Sequence, residues 1–147
     1  VTYAGHSMGG AVGVLAAAND DRIRNLISLA GMVKTQAFYD REFGEVIPGE
    51  GTMWEEPECP LSLKYKNDMY EIGSVGSRAS EVKVPWLLVH GDADDVIPVE
   101  DSREIYALAN EPKNIIEIPG ANHVFSGTGE EPLIETVISW LGEKLAG

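Results

Sequence analysis

The sequence predicts an α/β fold, a mostly parallel sheet flanked by helices, and three observations carry that expectation. The β-prone start Val1 to Ala4 runs into an apolar, alanine-rich stretch from Gly10 to Ala18 and then a nearly continuous apolar run from Ile23 to Gly31. Strand, helix and strand in that order make one βαβ unit, which closes with a right-handed crossover in almost every case. Val84 to Gly91 is the strongest strand in the chain, and its unbroken apolar character suits a parallel sheet covered on both faces. It and the later strand Asn114 to Pro119 both end in polar turns, the place where open α/β sheets hold functional groups.

The elements follow in order. Asn19-Asp20-Asp21-Arg22 is the polar break between the first helix and the second strand. From Met32 to Lys83 the pattern changes: Phe38, Tyr39, Phe43 and Trp54 are scattered among acids, glycines and prolines without sheet periodicity. This segment, 32–83, reads as an insertion between strands. Leu61, Tyr65, Met69 and Ile72 are spaced for one face of a helix starting near Pro60-Leu61. After the strong strand come the acidic turn Asp92 to Pro98, a helix over Val99 to Ala109, a strand over Asn114 to Pro119, and the loop Gly120-Ala121-Asn122-His123. Glu130 to Ala146 closes the chain as an amphipathic helix, with Leu133, Ile134, Val137, Ile138, Trp140, Leu141 and Leu145 apolar.

Composition sets bounds on partners. With 147 residues, 44% hydrophobic and 24% charged, the chain suits one modest core and a single domain over 1–147. Lys plus Arg is 11 against 24 Asp plus Glu, so 11 − 24 = −13, a balance that argues against nucleic acid or an anionic membrane as partner. No apolar run approaches the roughly 20 residues of a membrane span. No basic-plus-apolar segment resembles a signal peptide, and Cys59 as the one cysteine excludes an internal disulfide, so a cytoplasmic location is expected. The chain opens on a nearly finished strand with no initiator methionine, and further sequence upstream is expected. No Gly-x-Gly-x-x-Gly follows a strand and no Cys/His cluster has ligand spacing, so neither cofactor nor metal is expected.

The chemistry centres on Gly5-His6-Ser7-Met8-Gly9, at the junction of the first strand and first helix. A sharp turn there lifts Ser7 clear of the backbone, and Gly5 and Gly9 are expected to let strand and helix approach closely. The Met8 N–H falls at a helix N-terminus, where an amide and the helix dipole stabilise an oxyanion. A neutral serine needs a base, and the base needs a carboxylate to orient it. Of the three histidines, His6 adjoins Ser7 on a diverging side chain, His90 ends a strand, and His123 sits in a post-strand loop from which it can reach Ser7. For the acid, Asp94 and Asp95 compete with Asp92 behind them, and Asp94, third after Gly91, is favoured. The remaining carboxylates then cap the turn or face water. In the insertion, Trp54 is the best candidate to line a substrate pocket; the competing reading is that it packs the insertion's own small core.

Gly5-His6-Ser7-Met8-Gly9-Gly10, His90-Gly91-Asp92-Ala93-Asp94 and Gly120-Ala121-Asn122-His123 resemble the nucleophile, acid and histidine motifs of the α/β-hydrolase superfamily, in that superfamily's chain order. The resemblance spans nearly the whole chain and is strongest toward bacterial carboxylesterases of the feruloyl-esterase and acylaminoacyl-peptidase type. It implies that Ser7 attacks an acyl carbonyl of a small-molecule ester, His123 shuttles the proton, Asp94 orients His123, and the Met8 N–H is half of the oxyanion hole. A serine peptidase of the prolyl-oligopeptidase type and a non-catalytic binding protein of the same fold are the alternatives. In the superfamily the nucleophile follows the fifth of eight strands, and a second oxyanion donor comes from the loop after the third. The chain thus resembles the C-terminal half, strands five to eight, with the insertion between six and seven. Losing one oxyanion donor costs on the order of 100-fold to 1000-fold in turnover, so this stretch alone is expected to be poorly active, with its first strand an unpaired edge.

Overall fold

A computed structural model describes residues 1–146. They separate into two units, one formed by Val1–Val33 with the chain from Gly76 on, the other by Lys34–Val75. The first unit holds a four-stranded sheet of β1 (Thr2–His6), β2 (Asn25–Leu29), β3 (Trp86–Gly91) and β4 (Lys113–Ile118), in the spatial order β1-β2-β3-β4. Every pairing is parallel, with Gly5 opposite Ser28, Ser28 opposite Leu88, and His90 opposite Glu117. Helix α1 (Met8–Asn19) links β1 to β2, and α4 (Val99–Leu108) links β3 to β4. The closing helix α5 spans Glu130–Leu145. This is the partial α/β-hydrolase architecture that the motifs imply.

All six residues of β3 are buried, as its unbroken apolar sequence requires of a strand with neighbours on both sides. On one face of the sheet, Ile27, Leu87, Val89 and Ile118 form a core with Ala121, Phe125 and Trp140, against which Leu133, Val137 and Leu141 of α5 pack. The other face carries Ser28, Trp86 and Leu88 toward Val14 of α1 and Ile105 of α4. Two indoles in these layers satisfy their N–H groups, Trp86 Nε1 on Ser28 Oγ at 3.0 Å and Trp140 Nε1 on Asn114 Oδ1 at 3.1 Å. In contrast to β3, β4 has its residues half-buried or exposed up to Ile118, the pattern of an edge strand.

In the second unit, α3 (Leu63–Ile72) starts two residues later than its apolar spacing suggests, because Ser62 caps it by accepting the Tyr65 N–H at 3.0 Å. Leu61 is still fully buried, just ahead of the cap. A second helix, α2 (Thr35–Phe43), lies where the sequence shows only scattered aromatics. Its buried residues Thr35, Phe38, Tyr39 and Phe43 do recur at helical spacing, but the intervening residues are polar and the helix is short. Tyr39, Phe43, Trp54 and Tyr65 meet edge to face or tilted, and the Thr35 hydroxyl donates to the Met69 carbonyl at 2.7 Å. The unit ends at Val75, since Gly76–Glu81 forms a short 3-10 helix within the first unit.

Candidate active site

Ser7 stands between β1 and α1 with φ 55 and ψ −119, a conformation no residue with a Cβ adopts without cost. Three backbone hydrogen bonds hold it there: Ser7 N–H donates to Leu29 O at 3.0 Å, and Ser7 O accepts from Gly10 and Met32, each at 2.9 Å. A serine at a helix N-cap ordinarily turns its hydroxyl onto the first turn, but here the side chain makes no cap bond. Its Oγ instead lies 3.1 Å from His123 Nε2.

The close approach of strand and helix depends on Gly5, where a Cβ would stand 2.1 Å from the Gly9 carbonyl oxygen. Gly9 is different. The nearest atom to a Cβ there is the Tyr3 hydroxyl at 3.9 Å, so the expectation that Gly9 is needed for clearance does not hold, and only one of the two flanking glycines is sterically required.

His123 leaves the sheet on the loop after β4, and its Nδ1 lies 2.8 Å from Asp94 Oδ2. The acceptor-only carboxylate makes Nδ1 the protonated nitrogen, which leaves Nε2 free to accept the Ser7 proton. Asp94 Oδ1 is occupied separately, accepting the backbone N–H groups of Val96 and Ile97 at 2.9 Å each. Burial of the carboxyl would push its pKa up. The hydrogen bonds from His123 and His90 and the two backbone donors outweigh that and hold it well below the usual carboxylate range. Asp95 is exposed, and Asp92 accepts the Gly120 N–H at 2.6 Å, capping the turn that leads to His123.

The structure therefore brings Ser7, His123 and Asp94 together within one unit and in hydrogen-bonding sequence. Met8, the first residue of α1, presents an N–H with no partner one turn back, as at any helix start. Trp54 lies in the second unit, 57% exposed, its ring 4.9 Å from Phe43 and its indole N–H donating to Glu42 Oε2 at 3.4 Å. Among the described residues no group of three or more His, Cys, Asp or Glu side chains is arranged to hold a metal, and no helix is long and apolar enough to cross a membrane.

Two histidines that the sequence leaves unassigned also reach this site. His6 Nε2 donates to the His123 carbonyl at 2.7 Å, with ring centroids 4.7 Å apart. His90, fully buried, lies with Nε2 3.1 Å from Asp94 Oδ2. Adjacency to Ser7 and the four-residue interval to Asp94 are the only signals in the sequence, and neither reveals a contact made through a loop or a turn.

A parallel sheet with a strained serine elbow after one strand, an acid after β3 and a histidine after β4 defines the α/β-hydrolase superfamily. Within it the chain belongs to the prolyl oligopeptidase family, whose sequence profile matches residues 1–147. It is similar to the uncharacterized protein YfhR of Escherichia coli O157:H7, 35% identical over 122 residues, which cover 82% of this chain and 37% of that protein. YfhR of Salmonella typhi is 33% identical and matches 97% of this chain and 47% of its own length, so the chain spans less than half of these relatives. Among solved structures, Est1E from Butyrivibrio proteoclasticus superposes with a TM-score of 0.80 at 28% identity, covering 98% of this chain and 61% of that one. The same protein with ferulic acid bound superposes at 0.82. A monoacylglycerol lipase from Paleococcus ferrophilus shares the fold at 24% identity and a TM-score of 0.67.

Proposed function

We propose that the protein is a serine hydrolase that cleaves carboxylic esters of small molecules through an acyl-enzyme. The observation that carries this is the hydrogen-bonded line from Ser7 Oγ through His123 to Asp94, with spacings of 3.1 and 2.8 Å. In the first half-reaction Ser7 Oγ attacks the ester carbonyl as His123 Nε2 takes its proton. The imidazolium then returns that proton to the departing alkoxide, leaving an acyl-serine. Water, deprotonated by the same Nε2, attacks the acyl carbon; the bond to Ser7 Oγ then breaks as the imidazolium returns its proton to Oγ, and the carboxylic acid leaves. Asp94 keeps Nδ1 protonated and stabilises the imidazolium, while the Met8 N–H supports the oxyanion at each tetrahedral stage.

Esters are favoured over peptides by the likeness to Est1E at 28% identity over 98% of this chain. Membership of the prolyl oligopeptidase family keeps a second reading, a serine peptidase acting on short acyl-peptide or dipeptide units. Labelling of the natural protein at its full length by a fluorophosphonate, read by intact mass, is expected to add one phosphonyl group that is absent in Ser7→Ala. Absence of labelling would overturn the mechanism. Turnover of aryl esters is expected to exceed that of peptide anilides, and the reverse order would replace the esterase reading by the peptidase one.

A further inference from the structure

His90 is the last-but-one residue of β3 and has no solvent exposure. An imidazole buried in a strand must have both nitrogens partnered, and here each partner is defined. Nε2 lies 2.9 Å from the Ile97 carbonyl oxygen and 3.1 Å from Asp94 Oδ2. Both are acceptors, so Nε2 carries the proton. Nδ1 lies 2.7 Å from Ser102 Oγ in α4, itself buried, which holds the ring from the opposite side. The ring is thus pinned between a strand, a turn and a helix.

Asp94 Oδ2 is therefore shared by two imidazoles, His123 at 2.8 Å and His90 at 3.1 Å, while Oδ1 takes the two backbone donors. Ile97 closes the arrangement, since its N–H donates to Asp94 Oδ1 and its carbonyl accepts from His90. Three N–H donors in fixed directions, with His90 Nε2 beside Oδ2 on a proton it shares with the Ile97 carbonyl, restrict the carboxylate to one rotamer. Without His90, Oδ2 would be held by His123 alone, whose own orientation depends on that bond. The other charged group opposite His90, Glu117 on β4, is engaged by Arg103 at 2.7 Å through both carboxylate oxygens.

We propose that His90 is a positioning residue of the hydrolytic site: its Nε2–H, locked by Ser102, sets the Asp94 carboxylate so that Oδ2 faces His123. The inference rests on the serine-hydrolase reading given above. Its consequence is that His90 governs turnover rather than substrate binding, and that it bears on the protonation of His123 through the carboxylate they share. His90→Leu removes the donor. His90→Gln places an amide N–H near the former Nε2 and retains it.

The test is made on the natural protein at full length, with functional sites counted by fluorophosphonate so that misfolded molecules drop out. In His90→Leu, kcat per labelled site is expected to fall roughly 10-fold to 100-fold with KM unchanged, the loss typical of one hydrogen bond to a charged group. The acid limb of kcat/KM is expected to move up by about half a pH unit or more, because a carboxylate relieved of one donor concentrates its charge on His123. His90→Gln is expected to recover most of kcat and the wild-type limb. Labelled His90→Leu with wild-type kcat and limb overturns the proposal while leaving the hydrolase reading intact; a wild-type protein that takes no label overturns the latter instead. Should His90→Leu not fold, imidazole 15N spectra of the wild type decide. A protonated Nε2 on His90 coupled to Asp94 is expected, and an unprotonated Nε2 overturns the proposal.

Discussion

His6 and His123 are 117 residues apart in the chain, yet the His6 ring donates a hydrogen bond of 2.7 Å to the His123 backbone carbonyl. The residue immediately before Ser7 thereby grips the loop that carries His123. Both ends of the Ser7–His123 contact are tied to the same strand terminus, so their separation does not depend on the loop's own stiffness. Replacing His6 by Ala removes one exposed hydrogen bond, worth about 0.5–1.5 kcal/mol. If that energy is expressed in the positioning of His123, kcat/KM falls roughly 2-fold to 10-fold. Turnover per labelled site in His6→Ala checks this, and an unchanged value would show that the loop is held without His6.

Asp94→Asn retains the shape of the acid but turns one of its acceptors into a donor. An amide cannot accept from both imidazoles while satisfying two backbone N–H groups, and His123 is then free to take the wrong tautomer. Under the proposed function turnover is expected to fall by roughly 1000-fold to 10,000-fold, as for loss of the acid in serine triads. Steady-state kinetics on a saturating aryl ester measures it, and a loss below tenfold would remove Asp94 from the role assigned to it.

The same carboxylate makes stability depend on pH. Its folded pKa is depressed, so its contribution is present in full above the ordinary unfolded value of about 4 and is lost as pH falls through the lower folded value. Denaturant unfolding from pH 6 down to pH 2 is expected to show the wild type losing its advantage over Asp94→Asn progressively below about pH 4. A difference between the two that stays constant across this range would contradict the assignment.

Gly91 and Gly142 should respond oppositely to a methyl group. At Gly91, ending β3, a Cβ would lie 2.1 Å from the Ala121 carbonyl oxygen, two residues before His123. Gly91→Ala is expected to cost about 1–3 kcal/mol and to displace the histidine loop, lowering activity per folded molecule. At Gly142 in α5 no atom lies within 4 Å of where a Cβ would stand, so Gly142→Ala is expected to add about 0.5–1 kcal/mol through reduced unfolded-state entropy and better helix propensity. Thermal unfolding of both variants gives the comparison.

Much of this protein is legible in order along the chain. The strands around Leu26, Leu88 and Ile116 and helices α1, α3, α4 and α5 follow from apolar runs and 3.6-residue spacing, because each is long enough for its burial to show as a pattern. Helix α2 is not legible. Its nine residues, Thr35–Phe43, are mostly polar between the buried aromatics, and what holds Tyr39 and Phe43 is packing on Trp54 and Tyr65, residues far along the chain. Gly9 misleads for a related reason, since a glycine's clearance depends on what stands opposite it, and there only the Tyr3 hydroxyl comes near.

The sequence by itself determined the order of the strands, the serine elbow and the candidates Ser7, Asp94 and His123, because these are set by local propensity and by motifs a few residues long. Only the tertiary structure decided which carboxylate meets His123, and that His6 and His90 share in the site. Those contacts join β1 to the loop after β4, and β3 to the turn and helix that follow it. Their distances depend on sheet register and loop path, which no local stretch of sequence encodes.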